Sequence, residues 1–380
     1  MIQIYSNSLG KEELNAIKEV FDSKWLGKGS KTEEFIKKFG KKIVIENHQV
    51  AFVTAQPENL LTVSSCTEGI FQLMDYLDIK EGDEVILPSI SFVGVANAIV
   101  SKGAKAVFCD VDKYTLNPTV KHIKEKITTN TKAVIVIHYA GVPCDIENIT
   151  SLCKEKNITL IEDNANSPFS YSKGKSTGTF GDFGVWSFDA MKILVTGDGG
   201  MIYCNNTNDT QKLKRLTYLG LETPSGLSNG IDKKWWEFEI SSPSRRSTTN
   251  DIQAAIGIEQ LKKVNDFIDR RKQIHLMYKE GLKNLDWIKL PNIPTHLNSS
   301  YYMYHIQLKN RDKFAKYLRD KEIYTTFRYY PLHWVDFYQS NEKLPNTEYA
   351  ANHTICLPLH QNLTNKEVKY IIDTIKEWKH

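Results

Sequence analysis

Two side chains near the middle of the chain, Asp163 in LIEDNANSPFS and Lys192 in SFDAMKILVTGDGG, sit among apolar neighbours where a charged group is costly. Partial burial draws a lysine amine below its free pKa of roughly 10.4, which makes condensation with an aldehyde feasible. An isolated lysine more often packs its stem and sends its amine to water. Asp163 changes those odds, because a carboxylate 29 residues upstream, across a strand, a turn and a second strand, can converge with Lys192 on one ligand. Taken alone, an aspartate at a strand end is as often a helix cap.

A phosphate needs donors, and VSSCTEGIFQLM offers them. Ser64, Ser65 and Thr67 precede an apolar-periodic helix, so the amides of Cys66 and Thr67 point at an anion that the helix dipole also favours. The same letters describe an ordinary Ser/Thr cap. Ser187 adds a hydroxyl five residues before Lys192, and Phe92 in PSISFVGVANAI offers a ring to stack on a flat cofactor, although a lone phenylalanine more often joins the core. An amine, an acid, an anion cradle and a ring are the parts of a pyridoxal phosphate site.

The elements that must hold these parts alternate. Between residues 61 and 201, β-rich runs (DEVILPS, KAVFCDVD, TKAVIVIHY, ITLIEDNA) are separated by helical patterns at 92–102, 120–127 and 145–156. Strands apolar on both faces with helices between them predict a parallel sheet covered on both sides, whose ligands gather at the carboxyl ends of the strands, near Pro88, Asp145 and Asp163. Residues 218–246, with the Trp235 and Trp236 pair, read as a long loop. Asn250 opens a long helix with Ile252, Ala255, Ile256 and Leu261 on one face, and the tail from about residue 298 mixes strand runs (YYMYHIQL, IYTTFRYYPL) with a helix at 365–378. The expected plan is α/β, with a large domain over 1–250 and the long helix plus a small α+β domain over 251–380.

At 380 residues and 41% hydrophobic, the chain has the material for two cores. Its 49 Lys and Arg against 45 Asp and Glu leave +4, too near balance to argue for a nucleic-acid or membrane partner. Six cysteines with no CxxC pair read as reduced, buried thiols rather than disulfides or a metal site, so no metal is expected. With no signal-like N-terminus and no apolar run near the roughly 20 residues of a membrane span, the expected location is cytoplasmic.

Taken together and in order, GDEVILPSISFVGVANAI, AVFCDVD, HYAGVPCDIENI, LIEDNANS, GTFGDFGVWSFDAMK, TGDGG and NDIQAAIGIEQL resemble the DegT/DnrJ/EryC1/StrS family of pyridoxal phosphate-dependent aminotransferases over most of the chain. The resemblance implies the aspartate aminotransferase fold type I, pyridoxal 5'-phosphate as cofactor, and an amino group moved from L-glutamate to a keto group, mostly of a nucleotide-linked sugar. It implies that Lys192 carries the cofactor as an internal aldimine and shuttles the proton, that Asp163 pairs with the pyridine nitrogen, and that Phe92 stacks on the ring. Cys66, Thr67 and Ser187 hold the phosphate. Asn166 stands where the family usually has glutamine near the ring hydroxyl, and its shorter side chain leaves that contact in doubt or bridged by water. Such enzymes are homodimers whose subunits complete each other's sites.

Departures from the family pattern bear on the substrate. SRRSTTN places Arg246 where many members have the asparagine that reaches the partner's phosphate, and the forked guanidinia of Arg245 and Arg246 suit cofactor phosphate, a donor carboxylate or an anionic acceptor, against a solvated surface pair. SFDAMK brings Asp189 near the reactive amine, and residues 45–65 are longer than usual before the phosphate loop, as an elaborated subunit contact would be. WLGKGSKTEEF (Lys28) and FRYYPLHW (Arg328, Tyr330, His333) match segments bordering the site, with His333 as readily a packed histidine. Other readings are an aminotransferase for a small phosphorylated ketone or an acidic sugar, a keto-sugar dehydratase, and a non-catalytic relative. The presence of Lys192 and Asp163 argues against the last two.

Overall fold

The computed structural model describes residues 1–43, 56–222 and 238–379. The segment ahead of the phosphate loop therefore falls largely outside the described residues, as does the Trp235 and Trp236 pair. A seven-stranded sheet forms the centre: β1 (Leu60–Val63), β2 (Glu84–Pro88), β3 (Lys105–Cys109), β4 (Thr131–Ile137), β5 (Thr159–Asp163) and, after the small antiparallel pair β6 (Tyr171–Ser172) and β7 (Lys175–Ser176), β8 (Phe183–Ser187) and β9 (Gly200–Cys204). Its order is β1-β9-β8-β5-β4-β2-β3, and only β9 runs against the rest. Consequently the carboxyl ends of β1, β2, β5 and β8 and the amino end of β9 share one edge, where ligands of such sheets bind.

The four anticipated parallel strands form within their predicted runs, because β-branched and apolar residues on both faces leave no solvent side. Helices fill the crossovers, α1 (Cys66–Tyr76), α2 (Val93–Val100), α3 (Val120–Lys124) and α4 (Ile146–Lys156), the last three inside or at the bounds of their predicted patterns. On the side of β8, an earlier helix (Ser30–Ile43) sends Phe35 and Phe39 against Phe188 and Trp186, with ring centroids 5.2 and 5.4 Å apart for Phe35–Phe188 and Phe39–Trp186. Each buried aromatic contributes roughly 1.5–3 kcal/mol, which fixes the backbone on both sides of Ser187.

The long helix α5 (Asp251–Leu282) is shared between two cores. Ala254, Ile258, Leu261 and Val264 pack with Phe35, Phe39 and Trp186, while Ile274, Tyr278 and Leu282 pack with the second, three-stranded sheet. That sheet joins Ile288–Lys289, Tyr304–Leu308 and Thr354–Leu357 in antiparallel order. The IYTTFRYYPL run does not form the expected strand. It makes single bridges, Ile2 to Ile323 and Thr326 to Cys356, and then leaves the sheet at Arg328, since Pro331 lacks a ladder donor and the loop turns inward. No helix among the described residues is long and apolar enough to cross a membrane.

Candidate active site

The shared edge of the sheet opens into a cavity of about 240 Å³ lined by Ser65, Cys66, Thr67, Phe92, Asp163, Ser187, Asp189, Met191, Lys192, Asp198 and Tyr329, among others. Six residues read from the sequence, Cys66, Thr67, Phe92, Asp163, Ser187 and Lys192, thus meet in one place. Cys66 and Thr67 arrive on the first turn of α1, whose cap is Ser65, its hydroxyl accepting from the Glu68 amide at 3.0 Å. First-turn amides have no partner within the helix, so they remain to bind an anion. Gly200 makes the cradle possible: a Cβ there would stand 2.8 Å from both the Cys66 amide nitrogen and the Ser65 carbonyl carbon.

Asp163 ends β5 with its carboxylate buried. The Ala165 amide donates to Oδ1 at 2.9 Å, and Cys66 Sγ lies 4.0 Å from the same oxygen. Burial raises its pKa above the ordinary carboxylate value, opposed by the Ala165 amide and by the charge of Lys192. Such an acid is poised to take a hydrogen bond from a positively charged donor.

Lys192 follows a turn in which its amide donates to the Asp189 carbonyl at 2.9 Å and Asp189 Oδ1 accepts from the Met191 amide, also at 2.9 Å. Asp189 therefore shapes the turn. Sequence reasoning expects burial to lower the Lys192 pKa, and burial does pull it down, but Tyr302, Tyr329 and Asp163 outweigh it and hold the amine above its ordinary value. The amine sits over the Tyr302 ring, 5.1 Å from its centroid.

Asn166 is fully buried beside the cavity. Tyr329 Oη donates to its Oδ1 at 3.4 Å, while its Nδ2 has no partner among the described residues. The unmatched amide, the glycine-lined cradle and the buried acid at the strand end together fit pyridoxal phosphate: Lys192 for its aldehyde, Asp163 for the ring nitrogen, and the Cys66–Thr67 turn with Ser187 for its phosphate.

Five other residues read as site candidates stand outside the cavity wall. Arg245 is spent on α1, its guanidinium bound to Glu68 at 3.1 Å and Asp75 at 3.2 Å, so it is not offered to a substrate. His333 is packed rather than presented: Nδ1 is 2.7 Å from Ser89 Oγ, and Nε2 is 3.6 Å from Glu348. Lys28 is half-buried, its amine drawn below the ordinary lysine value by burial. Arg246 is exposed and lies over the Tyr218 ring, 5.2 Å from its centroid. Arg328 stands at the rim, 3.2 Å from Met191 Sδ. The sequence reading overlooked Tyr329 and Tyr302 as site residues. Neither carries a motif, and both arrive from the tail; the signal available was the aromatic density of FRYYPLHW and YYMYH.

Residues 7–376 match the DegT/DnrJ/EryC1/StrS aminotransferase family. The dTDP-4-dehydro-2,3,6-trideoxy-D-glucose 4-aminotransferase of Saccharopolyspora spinosa is 42% identical over 381 residues, covering 99% of this chain and 96% of its own. The GDP-perosamine synthase of Escherichia coli O157:H7 is 34% identical, with 99% and 98% covered. The crystal structure of the aminotransferase TlmJ from Streptoalloteichus hindustanus superimposes with a TM-score of 0.92 at 44% identity, covering 99% of this chain and 98% of that one.

Proposed function

The chain belongs to the DegT/DnrJ/EryC1/StrS aminotransferase family, a pyridoxal phosphate-dependent transaminase of fold type I, and from that premise we propose that it moves the amino group of L-glutamate to the keto group of a nucleotide-linked deoxy sugar. The observation that carries the reading is the convergence of Lys192, Asp163 and the Cys66–Thr67 turn on one cavity. The relatives act, by their names, on dTDP-linked and GDP-linked sugars, and the more similar of the two takes a 4-dehydro sugar, which favours a ketone at C4.

Bound in the cavity, pyridoxal phosphate supplies a ring that withdraws electrons from the bond to be broken. Asp163 would hold a proton on the ring nitrogen, a role suited to a buried carboxylate that gains a cationic donor. Lys192 Nζ would be the amine that holds the cofactor's aldehyde between turnovers and, when free, would take or give the proton at the substrate carbon in each half-reaction separately. Phe92 supports the ring from one face. The amides of Cys66 and Thr67 and the Ser187 hydroxyl would hold the phosphate, and Arg246, which does not line its own cavity, is assigned to the phosphate of a second copy in a homodimer.

Purified protein mixed with pyridoxal phosphate is expected to show a visible absorbance band that Lys192→Ala removes and that L-glutamate converts to the pyridoxamine form. Adding a dTDP-linked 4-keto sugar should then restore the band and release the amino sugar. Absence of any glutamate-dependent change rejects the reading, and turnover of a small phosphorylated ketone alone rejects the nucleotide-sugar assignment.

A further inference from the structure

SFDAMK, the departure beside the reacting lysine, puts a thioether into the wall of the cavity. Met191 is half-buried, its amide donates to Asp189 Oδ1 at 2.9 Å, and the next amide, that of Lys192, donates to the Asp189 carbonyl at 2.9 Å. That turn fixes where the side chain starts. Met74 and Met201 are fully buried, and Met277 and Met303 are half-buried against the hydrophobic cores, so of these only Met191 lines the cavity.

Met191 Sδ lies 3.2 Å from Arg328 Nη2, while Nη1 of the same guanidinium donates to the Tyr302 phenol at 3.3 Å. A thioether is a weak acceptor, so that contact holds little. One added oxygen reverses this, because a sulfoxide turns a flexible apolar side chain into a polar one whose oxygen accepts strongly from a guanidinium. The loop that carries Arg328 is tied down to receive it: the Tyr139 hydroxyl donates to the Arg328 carbonyl, and the Leu332 amide donates to the Ser89 carbonyl at 2.9 Å.

The thiol in the same cavity is a poor target for a peroxide. Burial and the Asp163 carboxylate, whose Oδ1 is 4.0 Å from Sγ, push the Cys66 thiol well above its ordinary pKa, and a thiol that keeps its proton reacts slowly. A thioether needs no deprotonation.

Resting on the reading of Lys192 as the reacting amine for its effect on turnover, we propose that Met191 is a site of reversible oxidation by a hydroperoxide, and that its sulfoxide, clasped by Arg328, obstructs the cavity beside Lys192. The sulfur lone pair attacks the terminal oxygen of the hydroperoxide, and the S–O bond forms as the O–O bond breaks. Sulfur gives up two electrons to the peroxide, and the proton on the attacked oxygen passes to the departing oxygen, which leaves as water or an alcohol. A methionine sulfoxide reductase, drawing two electrons from thiols, returns the thioether.

The test exposes pyridoxal phosphate-loaded wild type and Met191→Leu to hydrogen peroxide, with untreated Met191→Gln as a permanent mimic that sets a carbonyl oxygen beside Arg328. Leucine keeps the volume without the sulfur, a change that cores tolerate. Peptide mass spectrometry reads sulfoxide at each methionine, and absorbance follows single-turnover conversion by L-glutamate. Met191 should be oxidised ahead of Met74, Met201, Met277 and Met303, and the wild-type rate should fall by about tenfold or more in step with that sulfoxide, to be restored by methionine sulfoxide reductase. Met191→Leu should keep its own untreated rate, and Met191→Gln should convert about tenfold more slowly than untreated Met191→Leu. Equal loss in Met191→Leu, loss that leaves Met191 unmodified, recovery with dithiothreitol alone, which would mark Cys66, or a Met191→Gln as fast as Met191→Leu overturns the proposal. If L-glutamate changes the absorbance of no sample, untreated wild type included, the transaminase reading fails, and the order of oxidation among the methionines decides the site by itself.

Discussion

Phe92 and Tyr329 meet edge to face across the mouth of the cavity, their ring centroids 6.0 Å apart and their planes at 65°. One ring starts a helix after β2 and the other comes from the tail, so this wall of the cavity is assembled from two distant segments. Phe92 is 47% exposed and lines the cavity, so its ring is open to a ligand. Replacing it with alanine should leave the melting temperature of the cofactor-free protein nearly unchanged and weaken cofactor retention by about tenfold, taking a stacking contribution near 1.5 kcal/mol. Equilibrium dialysis against pyridoxal phosphate reads both wild type and variant, and equal retention would remove Phe92 from the site.

Gly200 lies where β9 passes the phosphate cradle, and the contacts a methyl group would make there are with backbone atoms of Ser65 and Cys66 that cannot swing aside. Gly200→Ala should therefore cost about 1–3 kcal/mol in urea unfolding through overpacking. Because the strain falls on the turn that holds phosphate, free phosphate should also lose its protective effect on the melting temperature. A variant as stable and as well protected as wild type would show that the turn can yield.

Much of this was legible from letters alone, for a physical reason. Lys192, Asp163, Ser187 and the Cys66–Thr67 turn lie at the ends of strands and at a helix cap, where local pattern fixes position, so reading the strand ends anticipated that these residues meet at one cavity. What could not be read is whatever depends on how the tail folds back. Tyr329 reaches the cavity only because the IYTTFRYYPL run leaves its sheet, Tyr302 comes under the Lys192 amine from the start of the YYMYHIQL run, and the ion pairs of Arg245 are not readable because Glu68 and Asp75 sit on a helix far away in sequence. His333 likewise needed Ser89 to be recognised as a packed residue. The pKa of Lys192 went the other way from expectation because burial alone can be judged from neighbours in sequence, whereas Tyr302, Tyr329 and Asp163 are neighbours only in space.

Asp163 is held in a state that costs stability without its ligand. Burial raises its pKa, so folding favours the protonated form more than the unfolded chain does. Stability from that preference is fully present below the unfolded value of roughly 3.9 and is lost as the pH rises through the higher folded value. In the cofactor-free protein, Asp163→Asn should thus gain on wild type in melting temperature across that acidic window and keep the advantage at neutral pH. The same variant should lose about a hundredfold or more in turnover, since an amide does not keep the ring nitrogen protonated. Calorimetric melts from acidic to neutral pH decide the first half, and a variant less stable than wild type at neutral pH contradicts it.

On the opposite face of β5 the neighbouring acid is entirely structural. Glu162, fully buried, accepts from the amides of Gly178, Phe180 and Gly181 at 2.7 to 2.8 Å, with His138 Nε2 3.1 Å away. The Cys144 amide donates to His138 Nδ1, so the ring proton lies on Nε2 and points at the carboxylate. Glu162→Ala strands three buried amides and should cost about 3 kcal/mol or more, while Glu162→Gln, which keeps one acceptor oxygen, should cost less. Urea denaturation of the two variants should rank them in that order, and the reverse ranking would show that charge rather than acceptor number holds the 178–181 turn.

Arg246 lies outside its own cavity and over Tyr218, an arrangement that suits action in a neighbouring subunit. If it serves the site of a second copy, two inactive variants should repair each other. In a mixed dimer of Lys192→Ala with Arg246→Ala, one site combines both defects and the other combines an intact Lys192 with an intact Arg246. Random reassembly of equal amounts should then restore roughly a quarter of wild-type turnover, while each variant alone stays low. The measurement is glutamate-dependent turnover before and after the variants are unfolded together and refolded, with size-exclusion chromatography confirming dimers. Failure of mixing to raise turnover above the sum of the parts would confine Arg246 to its own subunit.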